Sequence, residues 1–152
     1  MNWLKKDGEK GMDDKGISET DEKEFTQLIA EDLESGALEK VIELFRYNKA
    51  LYLIVGNLTR DERMKVRLGA NMLMDELREE RPEEVKLALP GLLSLLSNES
   101  PTVRGDAADL IGMIGSDDQL APLEKLLDDP NHQVVEIATD AIDTIKESIS
   151  IS

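Results

Sequence analysis

The sequence predicts an all-α protein, a short right-handed α-solenoid of stacked helix pairs. The main observation is a pattern of apolar residues in the C-terminal half that returns 31 residues later. The positions Leu89, Leu92, Leu95, Leu96, Val103, Ala107, Ile111 and Ile114 are matched by Leu120, Leu123, Leu126, Leu127, Val134, Ala138, Ile142 and Ile145. A fainter copy begins at Val66, 37 residues before Val103. A fixed spacing of this size is typical of helical units that bury their apolar faces only against one another.

Composition supports the same fold class. The chain has 152 residues, enough for one elongated core, and only 3% of them are aromatic. Leu, Ile, Val, Ala and Met fill the apolar positions, which favours helix packing over a β-sandwich or barrel. Cysteine is absent, so disulfides, thiolate metal ligands and cysteine nucleophiles are excluded. No stretch has the length and polarity of a signal peptide or membrane span, and we expect a soluble, cytoplasmic protein.

The chain is strongly acidic, and its charge is unevenly distributed. The net charge is −15, and the residues after position 81 carry 14 acidic and 4 basic side chains. Because such a surface repels phosphates, we do not expect a nucleic-acid partner. The acidity is interpreted either as an aid to solubility or as a surface for a basic protein partner. The second interpretation predicts that charge reversals at Glu124, Asp128 and Asp129 slow association and that added salt weakens it.

The N-terminal part divides into a tail and the start of the solenoid. Residues 1–17 have few apolar groups and are predicted to be a flexible tail. Trp3 and Leu4 in this tail are a candidate docking motif for a partner, but packing back on the chain's own domain, or no contact at all, is the favoured interpretation. The solenoid domain is predicted to span residues 18–152.

Its first helix should begin at a cap, Ser18 or Thr20, and end at Gly36. A short helix from Leu38 to Phe45 and a buried helical stretch from 50 to 58 follow. Whether residues 37–59 form one or two helices is left open.

Capping residues predict where the later helices begin. Thr59 and Glu62 have the spacing of a capping box, which predicts a helix start near Arg60. We expect this helix to end at Glu80. Two further starts combine a cap residue with proline at the first helical position. The pairs are Ser100 with Pro101 and Asp129 with Pro130. Ser116 or Asp117 is expected to cap a short helix from 120 to 127. The last helix, from 130 to about 148, is predicted to close the C-terminal end.

The segment from Pro101 to Gly115 resembles a HEAT-like repeat of the kind found in bilin lyases. The resemblance rests on Pro101, Val103, Arg104, Ala107, Ala108, Leu110, Ile111, Gly112, Ile114 and Gly115. The copy that starts at Pro130 matches less fully, because Val135 replaces the arginine. Together the similar units cover residues 60–147. The resemblance implies that first helices form a convex side and that second helices line a concave side that binds partners.

Candidate functional residues follow from this resemblance and from the acidic third helix pair. The implied concave, partner-binding positions are Lys86, Ser94, Gln119 and Lys125, to which the charge pattern adds Glu124, Asp128 and Asp129. Arg67 and Arg104 match the repeat arginine, and the resemblance implies that they bond neighbouring carboxylates or helix ends. The candidate carboxylates are Glu99, Asp106 and Asp109.

Residues for catalysis or metal binding are sparse. His132 is the only histidine, and without a serine nucleophile or a second histidine beside it we expect neither a catalytic triad nor a zinc site. The paired aspartates lack the spacing of a calcium-binding loop, and no glycine-rich nucleotide loop occurs. We therefore predict no catalytic residue, no metal ligand and no cofactor. The methionines Met64, Met72, Met74 and Met113 are interpreted as core residues.

The predicted function is a non-enzymatic interaction module or scaffold that binds a protein partner through the concave face. Two alternatives stay open at this point. One is an accessory subunit of a chromophore or cofactor lyase, as the resemblance implies. The other is a structural domain that pairs weakly with a second copy of itself.

Overall fold

The structure is a computed structural model that describes residues 18–151. The predicted tail, residues 1–17 with Trp3 and Leu4, lies outside the described residues. Within residues 18–151 the regular structure is entirely helical, which confirms the predicted all-α solenoid. No helix in this range combines the length and apolar character needed to cross a bilayer.

The described residues form eight α-helices and five short 3₁₀ segments. The α-helices are α1 (Glu19–Glu34), α2 (Leu38–Tyr47), α3 (Val55–Thr59), α4 (Met64–Glu80), α5 (Leu89–Leu93), α6 (Pro101–Ile114), α7 (Leu120–Glu124) and α8 (His132–Ile151). The 3₁₀ segments are Lys49–Ile54, Glu84–Ala88, Ser94–Ser97, Asp117–Gln119 and Lys125–Asp128.

The helices pack in two layers around one core. The long helices α1, α4, α6 and α8 lie side by side and form the first layer, and α6 and α8 make its most extensive contact. The second layer consists of α3, α5 and α7 with their 3₁₀ segments, which pack on α4, α6 and α8 respectively. Helix α2 packs on α1 and α4. A continuous cluster of buried apolar side chains from Phe25 to Ile145 joins the layers.

The predicted boundaries of the first helix are confirmed. The hydroxyl of Ser18 accepts a hydrogen bond from the Asp21 amide at 3.2 Å and caps α1. Gly36 ends this region with a φ of 87°, a left-handed conformation that favours glycine. Asn48 separates α2 from the next 3₁₀ segment, and its side-chain amide donates to the Leu44 carbonyl at 2.9 Å. Residues 37–59 therefore contain two separate helical segments.

The predicted capping box at Thr59 and Glu62 is wrong. Thr59 is buried at the end of α3, and its hydroxyl donates to the Val55 carbonyl at 2.8 Å instead of capping a new helix. Helix α4 begins at Met64, four residues after Arg60, where the prediction placed its start. In the intervening turn the Asp61 carboxylate accepts from the Arg63 amide at 2.9 Å.

The start of the last helix also differs from the prediction. Asn131, not Asp129, serves as the cap: its side-chain oxygen accepts from the Val134 amide at 3.1 Å, and α8 begins at His132. Asp129 instead accepts from the Asn131 amide at 2.8 Å. By contrast, the predicted cap at Ser100 is confirmed, since its hydroxyl accepts from the Val103 amide at 3.4 Å. Ser116 forms a capping box with Gln119. Of the two predicted cap residues, Ser116 and Asp117, the structure thus confirms Ser116.

Helix α8 closes the C-terminal end of the described stack. Its inner face is buried through Val134, Ala138, Ala141, Ile142 and Ile145. The opposite face exposes polar side chains, among them Glu136, Thr139, Asp140, Asp143 and Thr144. A terminal helix with a polar outer face is what a solenoid needs at its end.

Helices α6 and α8 lie close together at Gly112. A Cβ atom added to Gly112 would lie 2.6 Å from the Ala141 Cβ and 2.8 Å from the Ala141 Cα. Glycine at this position thus allows the two helices to meet at their backbones. Gly105, two turns earlier in α6, differs because an added Cβ would meet only the end of the Ile137 side chain, at 3.0 Å.

We expect Gly112→Ala to lower the free energy of unfolding by about 1–3 kcal/mol, because the new methyl group forces α6 and α8 apart. This loss should outweigh the gain of about 1 kcal/mol that alanine brings to a helix interior. Gly105→Ala is the matched control and should be neutral or slightly stabilising, since the Ile137 side chain can shift. Urea denaturation of the three proteins measures the difference. Equal stabilities for the two variants would contradict a backbone contact at Gly112.

Candidate protein-binding surfaces

The predicted concave residues lie on the second layer. Lys86, Ser94, Glu124, Lys125 and Asp128 are exposed there, on α7 and on the 3₁₀ segments. Several of these predicted positions also have local roles. The ammonium group of Lys86 lies 3.5 Å from the Glu83 carboxylate, and the Ser94 hydroxyl donates to the Gly91 carbonyl at 2.8 Å. The side-chain oxygen of Gln119 accepts from the Ser116 amide at 2.8 Å and so belongs to the capping box.

Asp129 is not available as a surface carboxylate, which corrects its assignment to the partner-binding set. Its oxygens accept two hydrogen bonds from the Arg104 guanidinium, at 2.8 and 3.0 Å. The side chains of Arg104 and Asp129 are only 13% and 6% exposed. The bond from Arg104 holds the pKa of Asp129 below its usual value. The pair therefore links α6 to the turn before α8.

The two repeat arginines, Arg67 and Arg104, both bond to the turns that precede their helices. Arg67 and Arg104 each donate to a carbonyl six residues earlier, that of Asp61 at 2.9 Å and that of Asn98 at 2.8 Å. Arg67 also pairs with Asp106 at 3.2 Å. Each arginine thus ties the start of its helix to the preceding turn.

Of the three candidate carboxylates, only Asp106 bonds a repeat arginine. Asp109 accepts instead from the Asn71 side chain at 2.9 Å. Arg104 pairs with Asp129 rather than with Glu99 or another of the candidates. Burial raises the pKa of Asp106, in contrast to the lowered pKa of Asp129.

His132 is exposed at the first position of α8. Among residues 18–151 no group of three or more histidine, aspartate and glutamate side chains is placed to hold a metal ion.

An exposed apolar ridge runs along α4, and the sequence analysis missed it. Met64, Leu68 and Met72 are 63%, 55% and 55% exposed, and their four-residue spacing places them on one face of the helix. We call these three residues the α4 ridge. Interpreting Met64 and Met72 as core residues is therefore wrong, whereas Met74 is fully buried. The signal was present, because α4 has two apolar stripes and only the other one faces the core.

Grooves lie on both sides of the α4 ridge. A groove of about 350 Å³ separates it from the turn between α1 and α2, and Leu33, Leu38 and Lys65 contribute to its lining. A groove of about 300 Å³ lies between α4 and α6, with Asp106 and Leu110 in its lining. Leu68 lines both. The ridge therefore projects between two depressions that can receive side chains of another protein.

A larger groove lies between α1 and α2. Its volume is about 820 Å³, and its apolar lining consists of Leu28, Leu44 and Tyr47. Leu28 is 41% and Tyr47 75% exposed. The polar lining residues are Glu31, Asp32, Lys40, Glu43 and Asn48. We call this feature the α1–α2 groove.

The two-layered stack, with its grooves and exposed ridge, defines a helical-repeat protein. A model of the HEAT repeats matches residues 54–143, more than half of the chain. The chain therefore belongs to the HEAT-repeat family, whose members generally serve as scaffolds for protein interactions. No curated protein matches the sequence.

Proposed function

We propose that this chain is a non-enzymatic module that binds a protein partner, and that the α4 ridge is the main contact surface. The observation that carries the proposal is the continuous exposure of Met64, Leu68 and Met72 on one helix face. Exposed apolar groups that lie side by side, unlike scattered ones, mark interaction surfaces. Methionine side chains are flexible and polarizable and so adapt to the shape of a partner.

The shape of this region supports a helical partner. A ridge between two grooves is the arrangement through which helices pack on one another. An amphipathic helix could place apolar side chains into the grooves beside Leu68 while it covers the methionines. Residues 60–81 carry 6 acidic and 6 basic side chains, so such binding would depend little on net charge and on salt.

The predicted concave surface is the competing location within the same function. Its exposed members other than Ser94 are charged, namely Lys86, Glu124, Lys125 and Asp128. Exposed charged pairs contribute little binding free energy, whereas apolar anchors in a desolvated contact contribute most of it. This difference favours the α4 ridge. No feature of the described residues favours the lyase subunit implied by the resemblance, and a bilin-binding assay by absorbance would detect that role.

The experiment compares proteins captured from lysate by the native chain, by Leu68→Lys and by Leu127→Lys. Leu127 is a matched control, because it is a partly exposed leucine on the second layer. We expect a partner to be retained by the native chain and by Leu127→Lys but reduced by about tenfold or more with Leu68→Lys, which puts a charge in the apolar contact. Circular dichroism checks that all three proteins are folded.

Two outcomes would contradict the proposal. Loss of the partner with Leu127→Lys and not with Leu68→Lys would move the contact to the second layer. Turnover of a substrate by the purified chain would contradict the non-enzymatic role.

A further inference from the structure

We propose that the α1–α2 groove is the docking site of this chain's own N-terminal segment, with Trp3 and Leu4 on its apolar lining and Lys5 and Lys6 at its acidic side. The inference concerns a different surface from the α4 ridge and does not depend on partner binding there.

The first argument is that the N-terminal end of the described stack exposes apolar side chains. At the C-terminal end, the part of α8 from Glu136 to Thr144 exposes mainly polar side chains. The first two helices instead leave Leu28 and Tyr47 substantially exposed beside the half-buried Leu44. The end faces of a solenoid are polar or are covered by other residues. We therefore expect another segment to pack on the exposed apolar lining of this groove.

The second argument is complementary charge. Glu31, Asp32 and Glu43 line the groove, and within residues 18–151 Lys40 is the one basic residue that does so. Lys40 lies 3.4 Å from Asp32, and Glu43 pairs with Arg46 at 2.7 Å. Glu31 is exposed and has no ion pair within the described residues. A segment that combines apolar and basic side chains therefore fits the groove.

The N-terminal segment has this combination in four consecutive residues. Trp3 and Leu4 supply apolar surface, and Lys5 and Lys6 supply the positive charge directly after it. Trp3 is the largest apolar side chain in the chain, and burying an aromatic of this size removes about 150–250 Å² from water. The groove volume of about 820 Å³ leaves room for it.

The third argument is reach. The described chain begins at Ser18, next to the start of α1. Leu28 and Asp32 lie ten and fourteen residues further on, which corresponds to about 15–21 Å along the helix. The twelve residues from Lys6 to Ser18 can span about 40 Å when extended. The segment is therefore long enough to turn back along α1 and enter the groove.

Trp3 makes the proposal directly testable, because it is the only tryptophan in the chain. We expect its fluorescence in the full chain to be shifted to the blue, and less quenched by acrylamide, than in a synthetic peptide of residues 1–17. Leu28→Lys should return the emission to that of the peptide, since it adds a charge to the apolar lining and repels Lys5 and Lys6. Leu68→Lys on the α4 ridge is the control and should leave the emission unchanged.

Further measurements separate the rival occupants. Lys5→Glu with Lys6→Glu should weaken the blue shift without altering any residue of the folded domain. Emission in the full chain equal to that of the free peptide would overturn the proposal. A blue shift that grows with protein concentration would overturn it in favour of a segment from a second copy. Loss of the shift with Leu68→Lys but not with Leu28→Lys would place Trp3 on the α4 ridge instead.

Discussion

Replacing Ile111 or Leu123 with alanine is expected to lower the free energy of unfolding by about 2–5 kcal/mol. Both side chains are fully buried, Ile111 in the central helix α6 and Leu123 where α7 packs on α8. Each substitution removes apolar contacts and leaves a cavity. Helices on both sides of α6 restrict the collapse of the cavity at Ile111, so its cost should lie toward the upper end of the range.

Urea denaturation monitored by circular dichroism measures these changes. His132→Ala is the control: His132 is exposed, and its loss should change stability by about 0.5 kcal/mol or less. A large effect of His132→Ala on any activity or metal affinity, together with mild effects in the core, would contradict the non-enzymatic function proposed above.

Arg104→Ala is expected to lower the free energy of unfolding by about 1.5–3 kcal/mol, the range for hydrogen bonds to charged groups. The substitution leaves the nearly buried Asp129 carboxylate without its two hydrogen bonds from the guanidinium, and it also frees the Asn98 carbonyl. Arg104→Lys should recover only part of the loss, because an ammonium group cannot form the paired contact. Arg67→Ala is a comparison variant with a smaller expected effect, since its partner Asp106 is more exposed than Asp129.

The pH dependence gives an independent check on the Arg104 pair. Arg104 lowers the pKa of Asp129 in the folded state. The resulting stabilisation is present above the unfolded pKa of about 3.9 and is lost as pH falls through the folded pKa. The native protein should therefore lose more stability than Arg104→Ala when pH is lowered from 6 to about 3. An equal loss in both proteins would show that the ion pair does not stabilise the fold.

Local signals predicted much of the fold. Ser100 followed by Pro101 predicts the start of α6, and Gly36 predicts the end of α1. These signals are reliable because each residue acts on the backbone within one helical turn of its own position. Thr59 misled for a physical reason. Its hydroxyl can cap a following helix or donate to a carbonyl of its own helix. Because Thr59 is buried at the end of α3, its hydroxyl donates to the Val55 carbonyl.

Contacts distant in sequence account for most of what was missed. The sequence predicts Asp129 as a helix cap and as a surface carboxylate. Its carboxylate instead accepts hydrogen bonds from Arg104, 25 residues earlier in the chain. Asn131 then becomes the cap of α8. No pattern within ten residues of Asp129 contains this information.

The candidate surfaces were the least predictable feature. Met64 and Met72 have the same spacing and hydrophobicity as core residues of α4, and only the positions of α1 and α6 leave them exposed. The α1–α2 groove likewise lies between two helices whose sequences each predict an ordinary amphipathic helix. The second-layer positions Ser94 and Gln119 were implied by the HEAT-like resemblance, and the structure shows that both also form local hydrogen bonds.

The segmented second layer has a consequence for local unfolding. Helices α3, α5 and α7 are each only 5 residues long, whereas the first-layer helices have 14–20 residues. The 3₁₀ segments beside the short helices have poorer hydrogen-bond geometry than an α-helix. Such segments open at lower free energy than long packed helices, so their amides should exchange with solvent first. The first layer should therefore keep its hydrogen-bonded structure while segments of the second layer open locally.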